Sequence, residues 1–265
     1  PGRWLVLVCG LLGTAVQAQS DYGPTLQRIA DKGVVRVGYI PTPGTFAFEN
    51  SQGQTVGYSI DICNRVIDLI RKTLKRPELT VAYQPLQGAQ RIPLLKSGSI
   101  DMECGGNTNT VARQKDVDFS HTFFTTGARL LSRKSLKVEK NADLWKKRVA
   151  VSKGTTAEGL VTKLQAEQNL TVLTVATDAE GLALVESGAA DAFAQDDILL
   201  YGLMGQSRHK ADLMVTGRFL SVEPYAFMLP KGDPVFTALV DKTLLSLMAS
   251  GELRTLYSKW FETDA

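Results

Sequence analysis

Apolar positions along this chain recur at two alternating spacings, one typical of strands and one typical of helices. The β-branched run Val34 to Tyr39, which ends before Pro41, predicts a strand. From Tyr58 to Leu74 apolar residues recur every three or four positions, which predicts a helix that ends before Pro77. The chain therefore begins its regular structure with a strand followed by a helix.

The same alternation continues to the carboxy terminus. It predicts strands at 79–83, 100–103, 148–151, 171–175 and 192–194, and helices at 91–97, 156–167, 179–187, 234–249 and 251–261, with another helix that begins at Asp196 and Asp197. A strand, helix, strand order favours parallel sheets with right-handed crossovers. We therefore predict the α/β class.

Two such series predict two lobes. The segments LLKSGSIDMECG and LVESGAADAFAQ each hold a helix end, a Ser-Gly stop and a strand that carries Asp. Segments 126–132 and 220–229 look extended and lie between the series, so we interpret them as crossovers. The expected division is 1–18 as a signal peptide, 19–125 with 222–265 as lobe 1, and 126–221 as lobe 2 with hinge segments at both ends.

The amino terminus is typical of a secretory signal peptide. Arg3 precedes the apolar run Trp4 to Leu12, and small residues follow as far as Ala18, so we expect cleavage before Gln19. The run is too short to span a bilayer. Cys9 follows a valine rather than a small residue, which argues against lipid attachment. We expect an exported protein without a lipid anchor.

Two cysteines, Cys63 and Cys104, remain once the signal peptide is removed. Export places them in an oxidising compartment, where a disulfide is an alternative. One lies early in a predicted helix and the other near the end of a strand, and spacing alone does not guarantee the required geometry. We expect two separately buried thiols.

Composition excludes several functional classes. Apolar content of 44% and charged content of 22% are typical of globular proteins, and a net charge of +3 is too small to indicate a nucleic-acid partner. The histidines, His121 and His209, lie far apart and without nearby cysteines, which argues against zinc. No phosphate-binding loop or nucleophile elbow occurs. We expect no metal, no cofactor and no catalytic residues.

The stretch 91–120, which reads RIPLLKSGSIDMECGGNTNTVARQKDVDFS, predicts a binding site. Gly105, Gly106 and Thr108 are expected just past the end of a strand, and Arg113 follows closely. Strand carboxyl ends are where open α/β sheets bind ligands. A guanidinium beside a hydroxyl and free amides suits a carboxylate, although a solvated turn is the alternative.

The second series offers complementary groups. Thr155 and Thr156 begin a predicted helix, whose free N–H groups favour an anion. Asp196 follows a buried strand and can accept a bond from an ammonium. The alternative for Thr156 and for Asp196 is a helix N-cap, and Asp197 is an equally good cap. Both series together suit a zwitterion.

These residues resemble the polar amino-acid-binding proteins of bacterial ABC importers (solute-binding protein family 3), most closely the glutamate/aspartate-binding branch, over residues 26–261. The resemblance implies a two-lobed periplasmic-binding (Venus-flytrap) fold, in which each lobe is a mainly parallel sheet flanked by helices and two hinge crossovers join the lobes. It implies a periplasmic monomer that binds an amino acid and delivers it to an ABC permease in the inner membrane.

The resemblance also implies residue roles. Arg113 is similar to the residue that clamps the ligand α-carboxylate, helped by Thr108 beside Gly106 and by Thr156, and Asp196 looks like the partner of the α-ammonium. Phe46 follows the first strand, where relatives place an aromatic wall, with core packing as the alternative.

The residues expected to face the ligand side chain are consistent with two classes of ligand. Arg91 corresponds to the arginine that faces the distal carboxylate in the glutamate/aspartate branch. Ile40, Gly88 and Asp178 depart from that branch, which carries arginine, serine and histidine there. We expect glutamate or aspartate; because one cation is lost and one carboxylate gained, a neutral polar ligand such as glutamine or asparagine is the alternative. An enzyme on the same fold, a dehydratase with Asp178 as the acid, and a sensory binding protein are rival functions.

Overall fold

The computed structural model describes residues 22–136 and 138–262, so the predicted signal peptide with Cys9 lies outside the described residues. The helices are α1 Gly23–Lys32, α2 Tyr58–Leu74, α3 Arg91–Lys96, α4 Thr156–Gln168, α5 Asp178–Ser187, α6 Asp197–Gln206, α7 Pro234–Ser250 and α8 Glu252–Phe261. The strands are β1 Val34–Tyr39, β2 Phe48–Glu49, β3 Thr55–Val56, β4 Thr80–Pro85, β5 Met102–Thr108, β6 Asp118–Phe119, β7 Phe124–Thr126, β8 Ala128–Arg133, β9 Arg148–Ser152, β10 Thr171–Val175, β11 Ala192–Asp196, β12 Leu213–Thr216 and β13 Glu223–Leu229. None of the helices in this part of the chain combines the length and the apolar character needed to cross a bilayer.

The first sheet has the strand order β4-β1-β5-β13-β6, and β7 also pairs with β13. β1 runs parallel to β4 and β5, whereas β13 runs antiparallel to β5, β6 and β7. The helices α1, α2, α7 and α8 contribute apolar side chains to the core that packs against this sheet. We use the name lobe 1 for the part of the chain around this sheet.

The second sheet has the strand order β10-β9-β11-β8-β12. β9 runs parallel to β10 and β11, and β8 runs antiparallel to β11 and β12. One apolar cluster contains Ala157 and Val161 of α4, and a second contains Val185 of α5 with Leu200 and Leu203 of α6. Both faces of this sheet are therefore covered, and we use the name lobe 2 for the part around it.

These two sheets confirm the predicted two-lobed α/β fold, with one refinement. Each sheet contains three strands that pair in parallel, as the strand and helix order indicated. One strand in each sheet, β13 in the first and β8 in the second, runs in the opposite direction, so its pairings are antiparallel. The antiparallel strands β8 and β13 come from the extended segments that were interpreted as crossovers.

The two segments that connect the lobes run side by side. The chain leaves β7 at Thr126 and enters β8 at Ala128, and it returns to lobe 1 at the start of β13, where Glu223 pairs with Thr126. The Leu220 N–H donates to the carbonyl of Ala128 at 2.8 Å. Adjacent crossovers of this kind let the lobes rotate about one short region.

Two expectations about β5 are corrected by the structure. The predicted loop at Gly105, Gly106 and Thr108 is part of the strand, because β13 pairs with it and extends it to Thr108. Cys104 forms a disulfide with Cys63, where separate thiols were expected. The two elements pack against one another, which brings the Cα atoms of the cysteines to 6.1 Å, a separation that a disulfide can span.

Candidate functional site

A cavity of about 480 Å³ lies between the lobes. Its volume is within the range of small-molecule sites. Seven of the predicted site residues line it: Arg91, Gly106, Thr108 and Arg113 from lobe 1, and Thr156, Asp178 and Asp196 from lobe 2. Apolar side chains that complete the lining include Ile40, Leu86, Leu199 and Leu203.

Arg113 presents a buried guanidinium to the cavity. Its Nη1 donates to the carbonyl of Thr108 at 2.9 Å, and its Nη2 donates to the carbonyl of Gly154 at 3.0 Å. Burial, followed by the neighbouring Arg91, lowers the pKa of Arg113 to about 10, so the group remains charged at neutral pH. Neither hydrogen bond uses Nε, so this edge of the guanidinium can bind an anion.

Arg91 is only 4% exposed and its hydrogen bonds span the cleft. Its Nε donates to the Gly88 carbonyl at 2.9 Å and its Nη1 to Oδ1 of Asn107 at 2.7 Å, both in lobe 1. Its Nη2 donates at 3.0 Å to the Gly154 carbonyl of lobe 2, the same oxygen that Arg113 contacts. Burial lowers the pKa of Arg91.

Glu103 is a fully buried carboxyl group that the sequence patterns did not single out. It accepts a hydrogen bond from Nδ2 of Asn107. The other amide atom of Asn107, Oδ1, accepts the hydrogen bond from Arg91. Burial raises the pKa of Glu103, and the nearby Arg91 opposes this shift. Asn107 thus links the guanidinium of Arg91 to a carboxyl group on the same strand, β5. The signal available in the sequence was a glutamate inside a strand predicted to be buried.

Asp196 is the last residue of β11 and lies at the N-cap position of α6, but its side chain makes no capping hydrogen bond. Its Oδ2 accepts a bond from the hydroxyl of Tyr225 in lobe 1, and its Oδ1 is buried without a partner in the described structure. Burial raises the pKa of Asp196 to about 7, although the Tyr225 hydroxyl opposes this. An unpaired buried carboxylate oxygen can accept a bond from an ammonium group.

Thr156 differs in detail from the expected helix cap. The N-cap of α4 is Thr155, whose hydroxyl accepts from the Glu158 N–H at 3.2 Å. Thr156 instead donates from Oγ1 to Oε2 of Glu223 at 2.9 Å, which ties α4 to the start of β13. Glu223 is buried and was not predicted from the sequence, because its partner comes from the other lobe.

Asp178 is the first residue of α5. Its Oδ1 accepts from Oγ of Ser152 at 2.5 Å and from Nε2 of Gln195 at 2.9 Å. Burial raises the pKa of Asp178, and these hydrogen bonds and Arg91 oppose the shift. Both bonds fall on Oδ1, so Oδ2 is the oxygen left for another donor.

Phe46 lies in the core of lobe 1 and not in the cavity lining, which corrects the expected aromatic wall. It is fully buried, and its ring centroid lies 5.0 Å from that of Phe124 and 5.2 Å from that of Tyr225. Next to it, the Ala47 N–H donates to Oγ1 of Thr42 at 2.8 Å, which closes the segment 42–47 into a turn. Core packing, the alternative reading of this ring, is what the structure shows.

Within residues 22–136 and 138–262, no group of three or more histidine, cysteine, aspartate or glutamate side chains is arranged to hold an ion.

The sequence model of one protein family, the bacterial extracellular solute-binding proteins, family 3, matches residues 35–263 of this chain. The chain belongs to this family.

Members similar to this chain include amino-acid-binding proteins. The glutamate/aspartate import solute-binding protein of Escherichia coli (strain K12) is 38% identical over 97% of this chain and 86% of its own length. An ancestral arginine-binding protein bound to glutamine is 30% identical, with a TM-score of 0.77 over 86% of this chain and 98% of that one. Solute-binding proteins of this family serve amino-acid ABC transporters.

The ancestral amino acid-binding protein that is a precursor of cyclohexadienyl dehydratase is also similar. It is 31% identical, with a TM-score of 0.77 over 90% of this chain and 100% of its own. This precursor and the Escherichia coli family member are both binding proteins. The present chain is accordingly a solute-binding protein.

Proposed function

We propose that this chain is the periplasmic component of an amino-acid ABC importer, and that its cleft binds one α-amino acid and carries it to the permease. The observation that carries the proposal is the pairing of opposite charges across one cavity. Arg113 lines it from lobe 1, and Asp196, whose buried Oδ1 has no partner among the described residues, lines it from lobe 2. An α-carboxylate and an α-ammonium on the same carbon match these two groups.

Ligand binding and lobe closure are coupled in this proposal. Arg113 and Thr108 belong to lobe 1, and Thr156 and Asp196 belong to lobe 2, so only the closed arrangement gives one small ligand both sets of contacts. A ligand that contacts both lobes shifts the population towards the closed state. Two desolvated charge pairs are compatible with micromolar affinity, which corresponds to about −8 kcal/mol.

Glutamate or aspartate is the ligand that we propose. Arg91 lines the cavity in addition to Arg113, so a second guanidinium is present for a side-chain carboxylate. A buried ligand carboxylate without such pairing is strongly destabilised. The similarity to the Escherichia coli glutamate/aspartate import protein, which extends over nearly the whole of this chain, supports the same ligand class.

Glutamine is the second candidate, and Asp178 favours it. A carboxylate in the cavity repels an acidic side chain but accepts a hydrogen bond from an amide. The similar ancestral protein bound to glutamine is consistent with an amide ligand on this scaffold.

A thermal-shift screen over the standard amino acids tests the proposal. A ligand at about 1,000 times its Kd stabilises the folded state by about 4 kcal/mol, which raises the melting temperature by several degrees. We expect that rise with glutamate, aspartate or their amides, and none with the corresponding D-enantiomers. If no amino acid shifts the melting temperature and none binds in calorimetry, the proposed function is wrong.

A further inference from the structure

Five charged groups line the cavity. Arg91 and Arg113 supply the buried cations, Asp178 and Asp196 supply the carboxyl groups, and Lys153 lines the rim with an exposed side chain. Under the proposed function, which this inference depends on, Arg113 and Asp196 hold the α-carboxylate and the α-ammonium. Arg91 and Asp178 are then the pair that remains for the ligand side chain.

Asp178 is fixed in position on lobe 2. Ser152 of β9 and Gln195 of β11 both donate to its Oδ1, and the residue also begins α5 behind the N-cap Thr177. Its other oxygen, Oδ2, receives no bond from the residues that the structure describes, while the side chain lines the cavity. A side-chain polar group of the ligand is therefore the natural partner for Oδ2.

Titratable groups on several elements, namely α3, β11, β13 and its own helix α5, interact with Asp178 or lie near it. Arg91 of α3 is the cation that lowers its pKa, and Asp196 of β11 and Tyr225 of β13 are close enough for Asp178 to raise theirs. Glu180 of its own helix is occupied by the N–H of Ala176 at 2.9 Å. Arg91 is thus the cation that acts on Asp178, and its donors are already shared with Gly88, Asn107 and Gly154.

One cation beside the Asp178 carboxyl group affects acidic and amide side chains of the ligand differently. Two carboxylates that share a site cannot both be ionised at low energetic cost, so one of them keeps a proton. The shared proton makes a short O–H···O bond, and Arg91 then neutralises the remaining negative charge. An amide brings its own N–H donors and needs no added proton.

We propose that Asp178 is a specificity-determining residue, which binds an amide side chain as a carboxylate and an acidic side chain only with one additional proton shared between the two carboxyl groups. The ratio Kd(glutamate)/Kd(glutamine) then rises with pH, by up to about tenfold per pH unit. Glutamate binding takes up about one proton more than glutamine binding, provided that Asp178 is ionised in the glutamine complex. The raised pKa of Asp178 in the ligand-free cleft agrees with this direction.

Calorimetry on the whole protein measures this proton difference directly. The protein is titrated with glutamate and with glutamine between about pH 6 and pH 9, in buffers of different ionisation enthalpy. Aspartate and asparagine replace this pair if they bind more tightly. Both members of a pair share the α-ammonium, so any contribution from Asp196 cancels. Equal proton uptake by the two ligands overturns the proposal, and so does binding of only one of them across the whole pH range.

A variant and its control locate the proton. Asp178→Asn removes the titrating group, so the proton difference and the pH dependence of the Kd ratio are expected to disappear. Asp212→Asn changes an exposed carboxylate of lobe 2 and is expected to leave both unchanged. A difference that persists in Asp178→Asn overturns the assignment.

If Asp178→Asn does not fold, the proton count of the unaltered protein still decides. Failure of every amino acid to bind contradicts the proposed function instead.

Discussion

The hydroxyl of Tyr225 donates a hydrogen bond to Oδ2 of Asp196, and this bond joins the two lobes directly. Tyr225 lies on β13 of lobe 1, and Asp196 ends β11 of lobe 2. The bond occupies one carboxylate oxygen, and the other, Oδ1, is buried without a partner among the described residues. The ring of Tyr225 also fills the space beside Gly106, where an added Cβ would lie 2.5 Å from its Cε2.

Replacing Tyr225 with phenylalanine tests whether this bond prepares Asp196 for an ammonium. The ring contacts are kept, but Oδ2 loses its donor and the pKa of Asp196 rises further, because the hydroxyl lowers it. Loss of a hydrogen bond to a buried charged group costs about 1–3 kcal/mol, so we expect amino-acid affinity to fall by about 5- to 150-fold. Isothermal calorimetry measures this change.

Tyr83→Phe is the matched control for Tyr225→Phe. The Tyr83 hydroxyl donates to Oδ1 of Asn64 at 2.6 Å, and neither residue lines the cavity. We expect a modest loss of stability and no change in Kd. Equal affinity in Tyr225→Phe and the unaltered protein would show that the inter-lobe bond does not contribute to binding.

Arg113→Ala is expected to remove nearly all amino-acid binding. Truncating one partner of a buried charge pair costs about 2–5 kcal/mol or more, which corresponds to at least about a 30-fold increase in Kd. The fold should persist, because without ligand Arg113 is a buried cation beside a second cation, Arg91. Circular dichroism checks the fold and calorimetry the affinity.

Two further substitutions sharpen the test of Arg113. Arg113→Lys keeps the charge but loses the planar pair of donors, so we expect only partial recovery of affinity. Arg65→Ala breaks an exposed ion pair with Glu252 and should leave Kd unchanged. Micromolar binding that survives in Arg113→Ala would refute its assignment to the α-carboxylate.

Gly88→Ala should weaken closure of the cleft. A Cβ on Gly88 would lie 2.7 Å from the carbonyl oxygen of Lys153, a backbone atom on the opposite lobe. Overpacking of this kind costs about 1–3 kcal/mol, and here the cost applies only to the closed state. We expect a higher Kd, a faster dissociation rate and a larger radius of gyration in the presence of ligand.

Gly159→Ala provides the control for the added methyl group. Gly159 lies on α4, and no atom beyond its own stretch of chain comes within 4 Å of an added Cβ. This change should leave closure intact and slightly stabilise the helix. If Gly88→Ala closes around ligand as completely as Gly159→Ala does, in small-angle scattering, the close approach of the two lobes at this point does not limit closure.

The fold was predictable where local pattern decides it. The periodicity of α2 gave its observed limits, Tyr58 to Leu74, because a helix buries one face with a fixed repeat. The strand β5 was predicted too short, because its last residues are strand only through pairing with β13, more than a hundred residues later. Glycine and asparagine there resemble a loop until the partner strand is known.

The site was predictable as a set of residue types and less so as a set of contacts. A strand-end motif indicated Arg113, Thr108 and Asp196, but a short pattern does not distinguish a ring that faces a cleft from one that faces the core, so Phe46 was misplaced. Glu223 was missed because its partner, Thr156, belongs to the other lobe. Glu103 was missed because its local partner, Asn107, was expected in a loop and its link to Arg91 is defined only by the tertiary structure.

The pH dependence of ligand affinity gives a test of Asp196. Burial raises its pKa from the ordinary 3.8 to about 7. An ammonium group favours the ionised carboxylate, so the complex binds fewer protons than the free cleft below that pKa. Ligand binding then releases a proton below about pH 7, and affinity falls by up to about tenfold for each pH unit as the solution becomes more acidic.

Glutamine binding to the Asp178→Asn variant isolates this effect, because the second cavity carboxyl group has been removed. Above about pH 7 the Kd should be constant, and between about pH 7 and pH 5 it should rise with a slope that approaches one decade per unit. Asp196→Asn in the same background removes the slope together with most of the affinity, since the neutral amide cannot pair with an ammonium as a charge. A Kd that stays constant down to about pH 5 would mean that Asp196 is already ionised in the free cleft, in which case its Oδ1 is better solvated than its burial indicates.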